Sequence, residues 1–333
     1  MSRNLQQNSQ RIFEQLENIN DITQRELMRI YAQSLNDVRS TLSRLYESYA
    51  VSGEFTRAQL TQFVRLSGVE SEIVRIMEPY LSRSITEIQT AAQVAVDQSF
   101  YRTAWAIDQA AGVQLNWGLL DDRQVRAAAG IIDDAQALSG FMSSSEVKRH
   151  KGILDTALRN YQGDTRKWLG QQVTKGIIEG KSVSQVAREL KDISYGKSIR
   201  SAMTIARTET LRAMGIGTRL AYEESADHGV PIRQVWDATL DDRTRPDHVV
   251  MDGRVKDGEF FNSPVGPVRG PRESGDPGFD INCRCRVTGE IEGFAPSVRR
   301  IRDEGIVPYK TASEWLQEKG ATANRYGQKY RNL

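Results

Sequence analysis

The chain has 333 residues, of which 39% are hydrophobic and 26% charged, and its formal net charge at pH 7 is +2. Its length is compatible with two domains, and its near-neutral charge argues against a protein whose main task is to coat nucleic acid. No run of about 18 apolar residues occurs, and the N-terminus lacks the apolar core of a secretory signal. We therefore expect no membrane segment and synthesis in the cytoplasm of the producing cell.

Residues 1–112 are predicted to form long helices, because apolar residues recur at spacings of three and four and so form one stripe on a helix. The stripe comprises Leu35, Val38, Leu42, Leu45 and Tyr49. Two interpretations of it are open. It packs inside a helix bundle of this chain, or it is an exposed surface on which several copies assemble.

The helical pattern continues to about Gly229, where His228-Gly229-Val230-Pro231 predicts the end of the last long helix. Beyond it, residues 232–236 and 285–291 are predicted to be two short strands, with turn-rich sequence between them. This segment holds few apolar residues, so we expect it to bury little core and to need a cross-link such as a metal ion.

The predicted fold class is therefore mainly α, with a long-helix N-terminal body and a small α+β, turn-rich C-terminal module. Four segments are expected along the chain. They are a long-helix assembly region (1–112), a helical body (113–229), a small mixed module with a metal site (230–291) and a tail with a short helix (292–333).

The chemistry of the module centres on Cys283 and Cys285, which are the two cysteines of the chain. A disulfide across one intervening residue is strained, whereas two thiolates and the imidazole of His248 suit Zn²⁺. A structural zinc site needs four ligands, and Asp280, three residues before Cys283, is the nearest fourth candidate. Asp241, Asp242 and Asp252 stay open as alternatives. A metal-free site, in which the same residues are held by hydrogen bonds, is as compatible with the pattern as a zinc site.

Charged residues near this site predict an ion-pair network that ties the module to the last helix. Its members are Arg207, Glu209, Asp241, Asp242, Arg243 and Arg245. A catalytic alternative makes His248 a general base that is oriented by Asp242 or Asp252. No nuclease motif accompanies these residues, so we expect a structural role and no enzymatic activity.

Several short pieces occur in a specific order: Ala206-Arg207-Thr208-Glu209, Trp236, Asp241-x-Arg243-Thr244-Arg245-Pro246-x-His248, Met251-Asp252-Gly253 and Asn282-Cys283-Arg284-Cys285. Together they resemble the head morphogenesis family of tailed bacteriophages, the phage Mu protein F-like minor head proteins. The resemblance covers about residues 140–291.

The resemblance implies a minor head protein of the virion that is assembled in the host cytoplasm. It implies the portal protein and other head proteins as partners, and roles in head assembly, DNA packaging or DNA delivery. The alternative is a metal-dependent nuclease or toxin-like enzyme carried in the head. Direct contact with viral DNA is a further expectation, based on basic residues of the tail. These are Arg325, Lys329 and Arg331.

The resemblance also bears on the metal ligands. Some family members look as if they carry Cys-x2-Cys in place of Arg245-x2-His248, and His in place of Asp280. This variation is what exchangeable metal ligands would produce, and it implies His248 and Asp280 as ligands ahead of Cys283 and Cys285. At Arg245 this chain departs from the cysteine version of the pattern.

Overall fold

The structure is a computed structural model, and it describes residues 5–49, 68–138, 153–179, 181, 183–190, 196–241, 243–291, 298–301 and 305–308. Asp242 lies outside these residues, as do the expected short helix of the tail and Arg325, Lys329 and Arg331. Within them the fold class is confirmed, because long helices dominate up to Asp227 and short strands follow. No helix of the described residues is long and apolar enough to cross a membrane.

The described helices have the following bounds: α1 Leu5–Tyr49, α2 Val69–Ala111, α3 Asp122–Ala128, α4 Ala135–Leu138, α5 Ile153–Ile178, α6 Val183–Glu189, α7 Gly196–Asp227, α8 Pro246–Val249 and α9 Pro277–Asp280. The last long helix ends where the sequence predicts. Gly229 has φ +81°, a left-handed conformation that glycine adopts without steric cost.

The described strands are β1 Ile232–Asp237, β2 Phe261–Ser263, β3 Gly266–Val268, β4 Arg286–Ile291, β5 Val298–Ile301 and β6 Gly305–Pro308. They pair as three antiparallel two-stranded sheets, β1 with β4, β2 with β3 and β5 with β6. In the β1–β4 ladder Trp236 lies opposite Val287. The two strands expected from the sequence are thus the pair that frames the module.

The chain divides into two compact units. One comprises Met1–Ile19, Ala92–Lys151 and Thr208–Leu333, and the other comprises Asn20–Ala91 and Gly152–Arg207. Each unit is therefore formed by segments that are distant from one another in sequence. The four segments expected from the sequence are consecutive ranges, and their boundaries stay a prediction.

The apolar stripe of α1 is packed inside the protein. Val38 is 3% exposed and Leu42 is fully buried, while Leu35 is half-buried. In the same unit, the Tyr80 hydroxyl of α2 donates to Asp37, and Arg83 of α2 donates to the Gln33 side chain. The interpretation as helix packing is confirmed for these residues. The expectation of an exposed assembly stripe is wrong for them, because their side chains are covered by the chain itself.

In the other unit, α2 and α7 approach closely. A Cβ placed on Gly217 of α7 would lie 2.1 Å from the Ser99 hydroxyl and 2.3 Å from the Val96 carbonyl oxygen of α2. The adjoining small residues Ala92 and Ala95 are fully buried. Ala92 and Ala95 therefore lie on the buried face of α2, and Gly217 permits direct contact between the two helix backbones.

The C-terminal module has a hydrophobic core of its own. The core cluster contains Trp236, Ala238, Leu240, Val249, Met251, Phe261, Val268, Phe279, Cys283 and Cys285. Trp236 is fully buried, with its ring edge-on to Phe261 at a centroid distance of 5.3 Å. The expectation that this segment buries little core is therefore wrong. Burial of each large side chain contributes about 1.5–3 kcal/mol, so a metal ion is not the sole source of order here.

Candidate metal centre

Two local structures position the cysteines and the histidine. His248 lies in the single-turn helix α8, which begins with Pro246, a residue whose fixed φ suits the first position of a helix. Cys283 and Cys285 lie just before β4, directly after Asn282, whose φ is +58°. This left-handed residue turns the backbone, and asparagine tolerates that conformation better than most residues. The turn brings both sulfur atoms to the same side as His248.

The ligand atoms of these three residues form a tight cluster. Nδ1 of His248 lies 3.3 Å from Sγ of Cys285 and 3.4 Å from Sγ of Cys283. The three ligand atoms lie within 4.8 Å of one another, and each residue is 2% exposed. Bond lengths of about 2.0 Å for Zn–N and 2.3 Å for Zn–S give a tetrahedral N···S separation of about 3.5 Å. The donor set and its spacing therefore fit one Zn²⁺.

The two thiols have different electrostatic environments. A hydrogen bond with Cys285 lowers the pKa of Cys283 well below its ordinary value, with further lowering by His248 and the positive charge of Arg272, although burial opposes this. Burial raises the pKa of Cys285 well above the ordinary thiol value, and the neighbouring Cys283 adds to the increase. Thiolate is the form of cysteine that binds metal, and the positive charge of Arg272 favours it at both sulfur atoms.

The imidazole is fixed by packing on its outer side. The Phe279 ring lies against His248 with a centroid distance of 4.3 Å and an interplanar angle of 33°. Nε2 of His248 is buried and has no hydrogen-bond partner among the described residues. Metal-bound histidines usually donate that second N–H to a carboxylate or carbonyl. Here stacking, and not such a hydrogen bond, sets the ring orientation.

The expected fourth ligand, Asp280, ends the single-turn helix α9. Its carboxylate accepts hydrogen bonds from the Ser274 hydroxyl at 2.8 Å, the Ser274 amide at 3.2 Å and the Gly275 amide at 2.8 Å. Burial raises the pKa of Asp280, and the charge of Cys283 adds to this. Asp280 is near the cysteines, but its oxygen atoms do not join the three clustered ligand atoms. Its role as fourth ligand stays a prediction.

The other candidate carboxylates have different partners. Asp252 accepts a hydrogen bond from the Ala238 amide at 2.8 Å. Asp241 forms a bidentate ion pair with Arg284, in which Nη2 of Arg284 lies 2.5 Å from Oδ1 of Asp241. Burial alone would raise the pKa of Asp241, but the hydrogen bonds and charge of Arg284 outweigh it and hold this pKa far below its usual value. Asp242 lies outside the described residues.

Among the described residues one expected ion pair, Arg243 with Asp241, is present, and Glu209 and Arg245 have other partners. Glu209 pairs with Arg212, one turn along α7. Arg243 is 62% exposed and its guanidinium lies 3.9 Å from Asp241. Arg245 donates to the carbonyl oxygens of Phe279 and Ile281 and not to an aspartate. Arg207 belongs to the other compact unit.

The module is connected to α7 by Arg272 and Arg219, which no sequence motif marks. Arg272 donates to the Leu211 carbonyl oxygen at 2.9 Å, and Arg219 donates to both carboxylate oxygens of Glu273 at 2.6 and 2.8 Å. The Asn282 amide donates to the Thr208 hydroxyl at 3.2 Å. No spacing rule marks a buried arginine in a Gly/Pro-rich loop, so the sequence carried no signal for Arg272.

Comparison with known proteins gives a family match over part of the chain and a relative that aligns over almost its whole length. Residues 167–288 match the family described as Phage Mu protein F like protein. The chain is 26% identical over 322 residues to the minor head protein GP7 of Bacillus phage SPP1, which covers 95% of this chain and 99% of that protein. No solved structure matches the chain.

Two further relatives match in part. The chain is 26% identical over 300 residues to a protein of Enterococcus faecalis named NAD(+)--arginine ADP-ribosyltransferase EFV, which covers 89% of this chain but only 57% of that protein. An uncharacterised protein of Haemophilus influenzae is 31% identical over 115 residues, 34% of this chain and 22% of that protein.

The fold and the site define a helical protein with a small module built around a buried histidine and two cysteines. The resemblance seen in the sequence is confirmed: residues 167–288 form a phage Mu protein F-like segment. The chain as a whole is similar to a minor head protein of a bacteriophage.

Proposed function

We propose that this chain is a minor head protein of a tailed bacteriophage, located in the virion, that acts in head morphogenesis at or near the portal and in DNA packaging or delivery. The observation that carries the proposal is the match to the minor head protein GP7, which extends over 95% of this chain and 99% of that protein. A transplanted module would match over one segment only, whereas correspondence from end to end supports a shared role of the whole chain.

The second part of the proposal is one structural Zn²⁺ held by His248, Cys283 and Cys285, with Asp280 as the fourth ligand. The burial of the three clustered residues, each 2% exposed, supports a structural ion, because catalytic zinc keeps a coordination position open to substrate. Since the module has its own hydrophobic core, the ion would hold α8 against the start of β4 and would not create the fold.

Co-purification with the portal protein from infected cells tests the first part. A tagged chain is expected to retain the portal protein after nuclease treatment, because the proposed contact is between proteins. If nuclease treatment removes the portal protein, DNA bridges the two. Reproducible absence of the portal protein from the purified complex would contradict the proposal.

An enzymatic role is the second candidate, and the relative named as an ADP-ribosyltransferase is the observation that favours it. The chain spans 57% of that protein, so the named activity belongs to a longer protein. The candidate set also includes the metal-dependent nuclease or toxin-like enzyme with His248 as general base. We propose no catalysis, because Nδ1 of the buried His248 faces two sulfur atoms at 3.3 and 3.4 Å.

Activity assays on the purified full chain separate these candidates. One assay follows cleavage of double- and single-stranded DNA with added Zn²⁺ or Mg²⁺, and the other follows transfer of ADP-ribose from NAD⁺ to arginine. We expect neither activity above that of His248→Ala. DNA cleavage that is lost in His248→Ala would establish the nuclease alternative, and transfer by the wild-type chain would establish the transferase.

A further inference from the structure

Arg272 occupies an unusual position for an arginine. It is 3% exposed, it follows Pro271 in the loop between β3 and α9, and its φ is +67°. A non-glycine residue in the left-handed region costs conformational energy. Burial of a guanidinium also costs free energy unless its N–H groups are hydrogen-bonded. The contacts of the Arg272 side chain must therefore offset both the backbone strain and the cost of burial.

The guanidinium of Arg272 bridges the cysteine pair and the last long helix. Nη1 donates to the carbonyl oxygens of Cys283 at 2.9 Å and Cys285 at 2.7 Å, and it lies 3.7 Å from Sγ of Cys283. Nη2 donates to the carbonyl oxygen of Leu211 in α7 at 2.9 Å. One side chain thus fixes the backbone on both sides of Arg284 and connects it to a rigid helix.

This arrangement uses a property that only arginine has. Its planar guanidinium directs several donors at fixed angles, whereas the ammonium group of lysine is a single point. The two terminal nitrogen atoms of the Arg272 guanidinium lie in one plane. They donate to two carbonyl oxygens of the Cys-x-Cys segment and to one carbonyl oxygen of α7. The carbonyls of Cys283 and Cys285 must point toward Arg272, and this fixes the rotation of the backbone from which both sulfur atoms project.

We propose that Arg272 is the positioning residue of the His248–Cys283–Cys285 centre, which holds the two sulfur atoms in the geometry that binds a metal ion. This inference rests on the metal centre proposed above. Arg272 makes no bond to the ion itself. It orients the segment that carries two of the ligands, and loss of such outer contacts typically weakens metal affinity by about 10- to 100-fold.

The same loop supplies a matched control. Arg269 lies three residues before Arg272 and is 5% exposed, but its guanidinium pairs with Glu259 at 2.7 Å and lies over the Phe260 ring at 4.8 Å. Substitution of Arg269 therefore removes a buried arginine from the same loop and keeps the hydrogen bonds from Arg272 to Cys283, Cys285 and Leu211.

The experiment titrates Co²⁺ into the metal-free full chain and follows the sulfur-to-cobalt charge-transfer absorbance, with Zn²⁺ competition for affinity. The proteins are wild type, Arg272→Gln, Arg272→Lys and Arg269→Gln. We expect Arg272→Gln to bind at least tenfold more weakly with reduced absorbance at saturation, and Arg269→Gln to match wild type. We expect Arg272→Lys to stay close to Arg272→Gln, because an ammonium cannot span the three carbonyls.

The outcomes separate the two proposals. Equal affinities in Arg272→Gln and Arg269→Gln, or wild-type affinity in Arg272→Lys, would overturn the positioning role and leave the metal centre in place. No binding by the wild type would overturn the metal centre. In that case the alkylation rate of Cys283 and Cys285 decides on Arg272: selective acceleration in Arg272→Gln supports the positioning role, and a rate equal to that of Arg269→Gln overturns it.

Discussion

Nδ1 of His248 lies 3.3 Å from Sγ of Cys285, although 37 positions separate the two residues. The contact joins α8 to the start of β4 across a loop region that includes the β2–β3 hairpin and α9. It exists only when the module is folded. Binding of the proposed metal ion and folding of this module would therefore be linked, and each would strengthen the other.

Removal of the metal is expected to lower the melting temperature of the protein. At a free metal concentration 100 times the dissociation constant, the lost stabilisation would be about 2.7 kcal/mol. His248→Ala and Cys283→Ser should reproduce the effect of a chelator and increase proteolysis within residues 237–282, while the long helices α1, α2, α5 and α7 stay intact. Calorimetry and elemental analysis are the measurements. Substoichiometric zinc, with a melting temperature that a chelator leaves unchanged, would contradict the metal centre.

Asp280→Asn tests the fourth ligand. If the Asp280 carboxylate coordinates the ion, the amide should weaken Zn²⁺ affinity at least tenfold, because an amide oxygen lacks the negative charge. Asp276→Asn is the control, since Asp276 caps α9 by accepting a hydrogen bond from the Gly278 amide at 2.7 Å. Equal Zn²⁺ affinities in the two variants would show that the fourth position belongs to another ligand.

Asp241→Asn is expected to destabilise the folded protein at neutral pH by about 3 kcal/mol, because it leaves the partly buried Arg284 without its ionised partner. The pKa of Asp241 is depressed in the folded state. Its contribution is therefore present above the unfolded pKa of about 3.9 and is lost as the pH falls through the folded pKa.

The stability difference between wild type and Asp241→Asn should accordingly shrink below about pH 4. Denaturant unfolding over a pH series measures it. Arg243→Gln is the control, because Arg243 is 62% exposed and lies 3.9 Å from Asp241, and its loss should cost less than about 1 kcal/mol. A pH-independent difference for Asp241→Asn would show that the ion pair contributes nothing to stability.

Gly217→Ala is expected to destabilise the protein by about 3 kcal/mol, the upper end for overpacking, because its Cβ would lie 2.3 Å from the Val96 carbonyl oxygen. Gly215→Ala is the control on the same helix. Its Cβ would lie 3.8 Å from the Arg272 guanidinium, an ordinary contact, so alanine should be neutral or stabilising by up to about 1 kcal/mol. Thermal melts compare the two, and equal shifts would refute the close approach of α2 and α7.

Periodic features of this fold could be predicted from the sequence. The spacing of Val38 and Leu42 indicates one helix face, and both residues are buried. The end of α7 and the strands β1 and β4 follow from local signals, because Gly229 and Pro231 break a helix and alternation marks a strand. His248, Cys283 and Cys285 could be grouped by the chemistry of their side chains, and the structure places them together.

The hydrophobic core of the module and the partners of its charged residues could not be predicted in the same way. Met251, Phe261 and Phe279 are isolated apolar residues in turn-rich sequence, and only the tertiary fold gathers them around Trp236. The partners of charged residues are likewise long-range. Arg284 lies 43 positions from Asp241, and a one-dimensional pattern does not reveal which carboxylate an arginine will reach.

Quantitative mass spectrometry of purified virions tests the central claim most directly, by counting copies of this chain against copies of the portal protein in the same particles. A minor head protein at the portal predicts that the chain is present in every preparation, in low copy number and in fixed ratio to the portal protein. Absence of the chain from purified virions, heads and portal complexes would contradict the proposed function.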